Sequence, residues 1–106
     1  MNDEISVVEL NEKIKNDSDF ILIDVREPQE VAVGKIEQSV HIPMGDIPSR
    51  LNELDPGKEY VLQCRSGKRS RNVLEFLRQN GFQKLYNLTG GIIAWSEQID
   101  SSVKVG

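Results

Sequence analysis

Three short apolar runs, and the helical segments that separate them, constrain this chain more than any other feature. Phe20 to Val25 reads FILIDV, Tyr60 to Gln63 reads YVLQ and Leu85 to Leu88 reads LYNL. Runs this short and this predominantly apolar fit strands covered on both faces, because a strand with one wet face alternates polar and apolar residues. Between them the period changes. Ser6-Val7-Val8-Glu9 is a capping-box pattern, and Val7, Leu10 and Ile14 continue it as a helical stripe. Val73, Leu74 and Leu77 line one side of a predicted helix from Arg69 to Asn80, which ends at Gly81, a residue suited to terminating a helix. After Gly90-Gly91, residues Ile92, Trp95 and Ile99 recur at helical spacing. A smaller apolar piece, Val40 to Ile42, is closed by Pro43, and Asp46 is placed to cap a short helix running through Leu51 to Leu54. The turn Asp55-Pro56-Gly57 resets the chain before the second run. Alternating strands and helices need right-handed crossovers. The expected fold class is therefore α/β, a mainly parallel sheet of about five short strands with helices on both faces.

A chain of 106 residues has room for one core, so a single domain spanning 1–106 is expected, with its body at about 5–100. The tail SSVKVG, residues 101–106, has no clear apolar pattern and is expected to fray. No tract is long and apolar enough to cross a membrane, and a net charge of −4 argues against nucleic acid as the main partner. The start, MNDEISVVEL, is acidic and polar where a signal peptide is basic and then apolar, which points to the cytoplasm. One cysteine cannot close an internal disulfide, which fits a reducing compartment and leaves a free thiol to explain.

That thiol lies in QCRSGKRSR, where Arg65, Lys68, Arg69 and Arg71 surround Cys64 without an acidic residue. Cys64 follows the YVLQ strand and precedes the helix, the place where open α/β sheets bind ligands. The first N–H groups of a helix have no partner within it, and with the helix dipole they favour an anion such as a thiolate. Gly67 lets the chain turn tightly enough for several N–H groups to converge on one point. Cations at a helix N-terminus break the usual preference there, and a bound anion reverses the sign of the effect. The pattern is that of a cysteine with a lowered pKa, a nucleophile.

Cys64, Gly67, Arg69 and Ser70 match the Cys-x-x-Gly-x-Arg-Ser/Thr loop of single-domain rhodaneses, and the chain resembles that family through most of its length. Asp24-Val25-Arg26-Glu27 is similar to the family's DVRE segment. Gly34-Lys35-Ile36 with His41-Ile42-Pro43 resembles its GHI…NIP block, and Leu88-Thr89-Gly90-Gly91 with Ala94-Trp95 its closing GG-x-x-AW. Lys35, Glu37-Gln38 and Val31-Ala32-Val33 depart from the common pattern, all outside the cysteine loop. GGIIAWSEQID is also similar to the C-terminal rhodanese domain of enzymes that adenylate and thiolate sulfur-carrier proteins for molybdopterin or tRNA thiolation.

The resemblance implies a thiosulfate sulfurtransferase. Cys64 would accept a sulfane sulfur from thiosulfate or a persulfide donor and pass it to cyanide, a thiol or a sulfur-carrier protein. The N–H groups of the loop Arg65, Ser66, Gly67, Lys68, Arg69 and Ser70 would cradle the transferred sulfur. No metal or other cofactor is implied, and a monomer is expected. Arg69 has two readings, steering an anionic donor or pinning the loop to carboxylates. Arg65 and Lys68 are read as facing solvent. Ser70 is read as a hydroxyl donor or merely a helix cap, and Asp24 with Arg26 as a buttress for the loop or an ordinary surface ion pair. His41 and Trp95 are read as structural. A docking or regulatory module is the alternative from another class. A cysteine phosphatase or arsenate reductase is the other alternative, but a tetrahedral oxyanion needs a wider loop, with its arginine at the position held here by Ser70. Only four residues separate Cys64 from Arg69, a gap suited to a single sulfur atom.

Overall fold

The computed structural model describes residues 2–106. In chain order the elements are β1 (Glu4–Ile5), α1 (Val7–Lys15), β2 (Ile21–Asp24), α2 (Pro28–Val33), β3 (Val40–His41), β4 (Tyr60–Gln63), α3 (Lys68–Gln79), β5 (Leu85–Leu88) and α4 (Gly91–Gln98). The five strands form one parallel sheet in the order β1-β5-β4-β2-β3.

The uninterrupted apolar runs have a direct cause. Successive strand residues point to opposite faces, and each face has its own core. Ile23, Tyr60, Leu62 and Leu85 pack with Val73, Leu74 and Leu77 of α3. Leu22, Val61 and Leu88 pack with Val7 and Leu10 of α1 and with Ile92 and Trp95 of α4. The capping box of α1 forms as the sequence predicts: the Ser6 hydroxyl accepts from the Glu9 N–H at 3.1 Å, and the Glu9 carboxylate accepts from the Ser6 N–H at 2.9 Å.

Four features differ from the sequence expectation. β1 is an additional edge strand of only two residues, too short to register as a pattern. α2 was not anticipated either, although Glu27-Pro28 opens it and Glu30 reaches back to the Glu27 N–H at 2.9 Å. Asp46 caps no α-helix. The segment forms two 3-10 turns, Met44–Asp46 and Pro48–Glu53, and Asp46 makes no side-chain cap bond. Pro48 has no N–H with which to continue an α-helical ladder, so the chain closes i→i+3 bonds instead, such as Ile47 N–H to Met44 O at 3.3 Å. The tail does not fray. Val103 and Val105 pack against the α1/α4 core, and Ser96 Oγ donates to Val103 O at 2.7 Å. No helix among the described residues is long and apolar enough to cross a membrane.

The strand order contains one switch point. From β2 the chain builds outward to β3, and from β4 it builds the other way to β5, so the connections leaving β2 and β4 diverge. Asp24 and Gln63 are register partners at the ends of these neighbouring strands. Beyond that pair lies the switch in strand order, the end of the sheet at which such folds bind ligands.

Candidate active site

Cys64 is the first residue after β4, at that switch. Its side chain is almost completely covered, at 1% exposure. Arg65 and Ser66 bulge into solvent before Gly67 caps α3 in a left-handed conformation, φ 107°. A Cβ there would meet its nearest atom, Leu88 O, at an ordinary 3.4 Å, so glycine is demanded by the backbone angle rather than by space. This turn aims the Gly67 N–H at Cys64 Sγ, 3.1 Å away. Ser70, one turn later and fully buried, places its hydroxyl 3.3 Å from the same sulfur. Ser70 lies inside α3 and does not cap it.

The start of α4 holds the loop from the other side. Ile92 N–H donates to Cys64 O at 2.9 Å and Ile93 N–H to Arg65 O at 3.2 Å. These bonds satisfy N–H groups that the first turn of a helix leaves open, and they occupy the loop's carbonyls away from the sulfur. Gly91 makes the approach feasible. Its φ is 57°, and a Cβ on it would lie 2.4 Å from Cys64 O and 2.5 Å from Arg65 O.

The electrostatics of the sulfur follow from these neighbours. Burial pushes the Cys64 thiol up, but the Ser70 hydroxyl and the N–H groups of Ser70, Gly67 and Ser66 together outweigh it. The net effect is a pKa below the ordinary cysteine value, the third cause in the usual triad of desolvation, charge and hydrogen bonding.

Of the four cations near the cysteine, two are committed elsewhere. Arg69 makes a bidentate pair with Glu30 of α2, at 2.6 and 2.8 Å, and the guanidinium holds that carboxyl down at about 2. Arg71 pairs with Asp3, Glu4 and Glu75 at 2.7, 2.8 and 2.7 Å. Arg65 is exposed and donates from Nε to Gly106 O at 2.9 Å. Lys68 is exposed and has no acidic partner among the described residues.

Asp24 and Arg26 are wholly buried, which excludes the surface ion pair. Arg26 Nη2 donates to Asp24 Oδ2 at 2.7 Å and to Gly34 O at 2.8 Å, while its Nη1 lies 3.4 Å from Glu30 O. The pair thus ties the end of β2 to the middle and the C-terminal cap of α2, the helix that carries Arg69's partner. The ring Nε2 of His41 lies 2.7 Å from Arg26 O, and a carbonyl only accepts, so this nitrogen carries the proton.

The sequence did not point to Glu30, Glu4 or Asn87. Asn87, 3% exposed, donates from Nδ2 to Gly67 O at 3.1 Å and to both Glu4 carboxylate oxygens, at 3.2 and 3.1 Å. A polar residue inside the apolar run LYNL was its one available signal. Nothing local marks Glu4, 83 positions away from Asn87 in sequence. An open groove of about 550 Å³, walled by Ser66, Lys68, Asn72, Thr89 and Gly90, runs past the Gly67 side of the loop. Cys64 does not line it.

Comparison with known proteins agrees with this architecture. The Rhodanese-like domain family matches residues 6–98. The Bacillus subtilis (strain 168) protein YtwF is 55% identical over 92 residues, covering 87% of this chain and 88% of that protein. A protein of Allochromatium vinosum named Sulfurtransferase is 38% identical over 96 residues, covering 91% of this chain and 90% of its own. The crystal structure of a rhodanese-like domain protein from Staphylococcus aureus superimposes with a TM-score of 0.85 at 33% identity, covering 100% of this chain and 99% of that one. With its parallel five-stranded sheet and a lone cysteine at the switch in strand order, this chain belongs to the rhodanese-like family.

Proposed function

We propose that the protein is a sulfurtransferase in which Cys64 carries the transferred sulfur. The Cys64 thiolate attacks the outer sulfur of thiosulfate. The S–S bond of thiosulfate breaks, its electron pair leaves with sulfite, and Cys64 becomes a persulfide with the negative charge on its terminal sulfur. A nucleophilic acceptor, cyanide in the test tube and a thiol or sulfur-carrier protein in the cell, then attacks that terminal sulfur and returns the electron pair to Sγ. Atoms and electrons balance without an external oxidant, reductant or cofactor. A protein persulfide serves as donor in the same way.

The observation that carries this reading is the convergence of the Gly67 N–H at 3.1 Å and the Ser70 hydroxyl at 3.3 Å on one buried sulfur. Donors preorganised around a site of developing charge need no reorganisation at the moment of reaction. Arg65 and Lys68, exposed at the mouth, attract the anionic donor. Arg69 pins the loop through Glu30. Asp24 and Arg26 hold α2 in place to receive it. The short gap between Cys64 and Arg69 disfavours a phosphatase.

The test is intact mass after incubation with thiosulfate, with Cys64→Ser as control. The expected product is heavier by one sulfur, loses it to cyanide, and is absent in the variant. Failure to take up sulfur from thiosulfate or from a persulfide donor, together with hydrolysis of an aryl phosphate, refutes the proposal.

A further inference from the structure

Behind the sulfur, the orientation of the Asn87 amide is dictated by its neighbours. Its Nδ2 faces Gly67 O and the Glu4 carboxylate, at 3.1 to 3.2 Å. These groups accept hydrogen bonds and cannot donate, so the NH₂ must point at them and Oδ1 must point the other way. Oδ1 meets Ser70 Oγ at 2.5 Å. Asn87 Oδ1 cannot donate, so the Ser70 hydroxyl does. Yet that same hydroxyl lies 3.3 Å from Cys64 Sγ. A hydroxyl has one proton, and two acceptors compete for it.

We propose that Asn87 is a positioning residue that turns the Ser70 hydroxyl into a two-position donor, directed at Asn87 Oδ1 while Sγ is neutral and at Sγ when the sulfur is anionic. The part of this that concerns turnover rests on the sulfurtransferase reading. In a persulfide the charge sits on the terminal sulfur and Sγ is neutral, so the hydroxyl returns to Asn87. When an acceptor attacks the terminal sulfur, the S–S bond breaks, the electron pair goes to Sγ, and the hydroxyl swings onto the leaving thiolate. The donor is thereby engaged where charge develops and withdrawn where it does not. The charged groups facing the cluster are Glu4 of β1, held by Arg71 at 2.8 Å and by the Thr89 hydroxyl at 2.7 Å, and Arg69 of α3, which senses the charge on Cys64.

The two side chains then have opposite effects on the thiol. Ser70→Ala removes a donor from the thiolate and raises the Cys64 pKa. Asn87→Ala removes the competing acceptor, frees the hydroxyl for Sγ, and lowers it. Each shift is expected to be about one pH unit, or about tenfold in thiolate fraction below the pKa. In a Ser70→Ala background, Asn87→Ala is expected to have no further effect. The measurement is the pH profile of Cys64 alkylation in wild type, both single variants and the double variant, a double-mutant cycle. A pKa that is raised or unchanged in Asn87→Ala overturns the proposal, as does an equal shift in both backgrounds, since a purely structural role for Asn87 gives those results. A second measurement needs no variant at Asn87. The side-chain amide ¹⁵N resonance of Asn87 is expected to titrate with Cys64 in wild type and to be flat in Ser70→Ala, and a flat wild-type profile overturns the idea. Both readouts are independent of sulfur transfer. If wild type takes up no sulfur from either donor and hydrolyses an aryl phosphate while Asn87→Ala still lowers the pKa, the sulfurtransferase reading fails and the two-position donor stands.

Discussion

Glu30→Gln tests whether the clamp on Arg69 holds the cysteine loop by charge. In the folded protein the Glu30 carboxyl is lowered from 4.5 to about 2, chiefly by the Arg69 guanidinium. At 1.36 kcal/mol per pH unit, that depression sets a ceiling of about 3 kcal/mol on the stability the charge contributes. The side chains remain 18% and 32% exposed, so solvent screens part of it, and about 1–2 kcal/mol is the expected contribution of this bidentate pair at pH 7. A carboxyl with a depressed folded pKa binds fewer protons in the folded state than in the unfolded one. Its contribution is therefore complete above about pH 4.5 and is lost as pH falls toward about 2. The assay is urea unfolding of wild type and Glu30→Gln at several pH values between neutral and acid. Asp3, also held down by Arg71 and Arg78, makes both proteins weaken in acid, so the informative quantity is their difference. It is expected to be about 1–2 kcal/mol at pH 7 and to shrink steadily below pH 4.5, where the unfolded wild-type carboxyl takes up a proton that the folded one still excludes. A difference that is the same at pH 7 and in acid refutes the reasoning, because the substitution then acts through shape and not through charge.

Gly91→Ala combines a left-handed backbone angle with a Cβ 2.4 Å from Cys64 O, and is expected to cost about 3 kcal/mol in chemical unfolding and to slow Cys64 alkylation. A stable variant with unchanged alkylation contradicts the close approach of α4 to the loop. Gln63 is fully buried with Oε1 unpartnered among the described residues, while the Cys64 carbonyl that its Nε2 serves keeps the bond from Ile92. Gln63→Leu is accordingly expected to raise the melting temperature or leave it unchanged, and a loss of more than about 1 kcal/mol refutes that account. Raising the salt from about 0.05 to about 0.5 M is expected to leave the Cys64 pKa within about 0.3 pH units while slowing the reaction with thiosulfate, because contact dipoles escape screening and the exposed Arg65 and Lys68 do not. A pKa that rises by about one unit over that range means that exposed cations hold the thiolate.

The sheet was legible because each of its three central strands, β2, β4 and β5, feeds two cores. Leu22 and Ile23, or Val61 and Leu62, are neighbours in sequence that pack on opposite faces, and no exposed one-faced strand writes such a run. Cys64, Gly67 and the helix after them were legible because they act within one continuous segment. The illegible parts all depend on residues distant in the chain or on elements too short to show a period. Glu30 reaches Arg69 across 39 positions from a helix of six residues, and Asp3 reaches Arg71 across 68. The tail failed as a sequence reading for a related reason. Val103 and Val105 alternate like a strand with one face inward, but two residues carry too little pattern to outweigh the serines before them.

The same distance effect changes what the cluster of cations means. Sequence alone places Arg65, Lys68, Arg69 and Arg71 around a thiol and suggests that their summed charge lowers its pKa. In the fold, Arg69 is neutralised by Glu30, and Arg71 lies against the carboxylates of Asp3, Glu4 and Glu75. The groups that lower the thiol are instead neutral: the Ser70 hydroxyl and the N–H groups of Ser70, Gly67 and Ser66. Under the proposed reaction this division has a chemical advantage, because the sulfur must then be both a nucleophile and a leaving group. A fixed cation beside Sγ would stabilise the thiolate at every stage, including the attack, where the charge has to leave it. N–H groups at a helix start can instead serve whichever sulfur is anionic, and a rotatable hydroxyl can let go. Arg69 and Arg71 then have a different task, tying α2, β1 and α3 together so that the dipoles stay aimed, while Lys68 and Arg65 stay exposed and, in the proposed reaction, are the cations that meet the anionic donor.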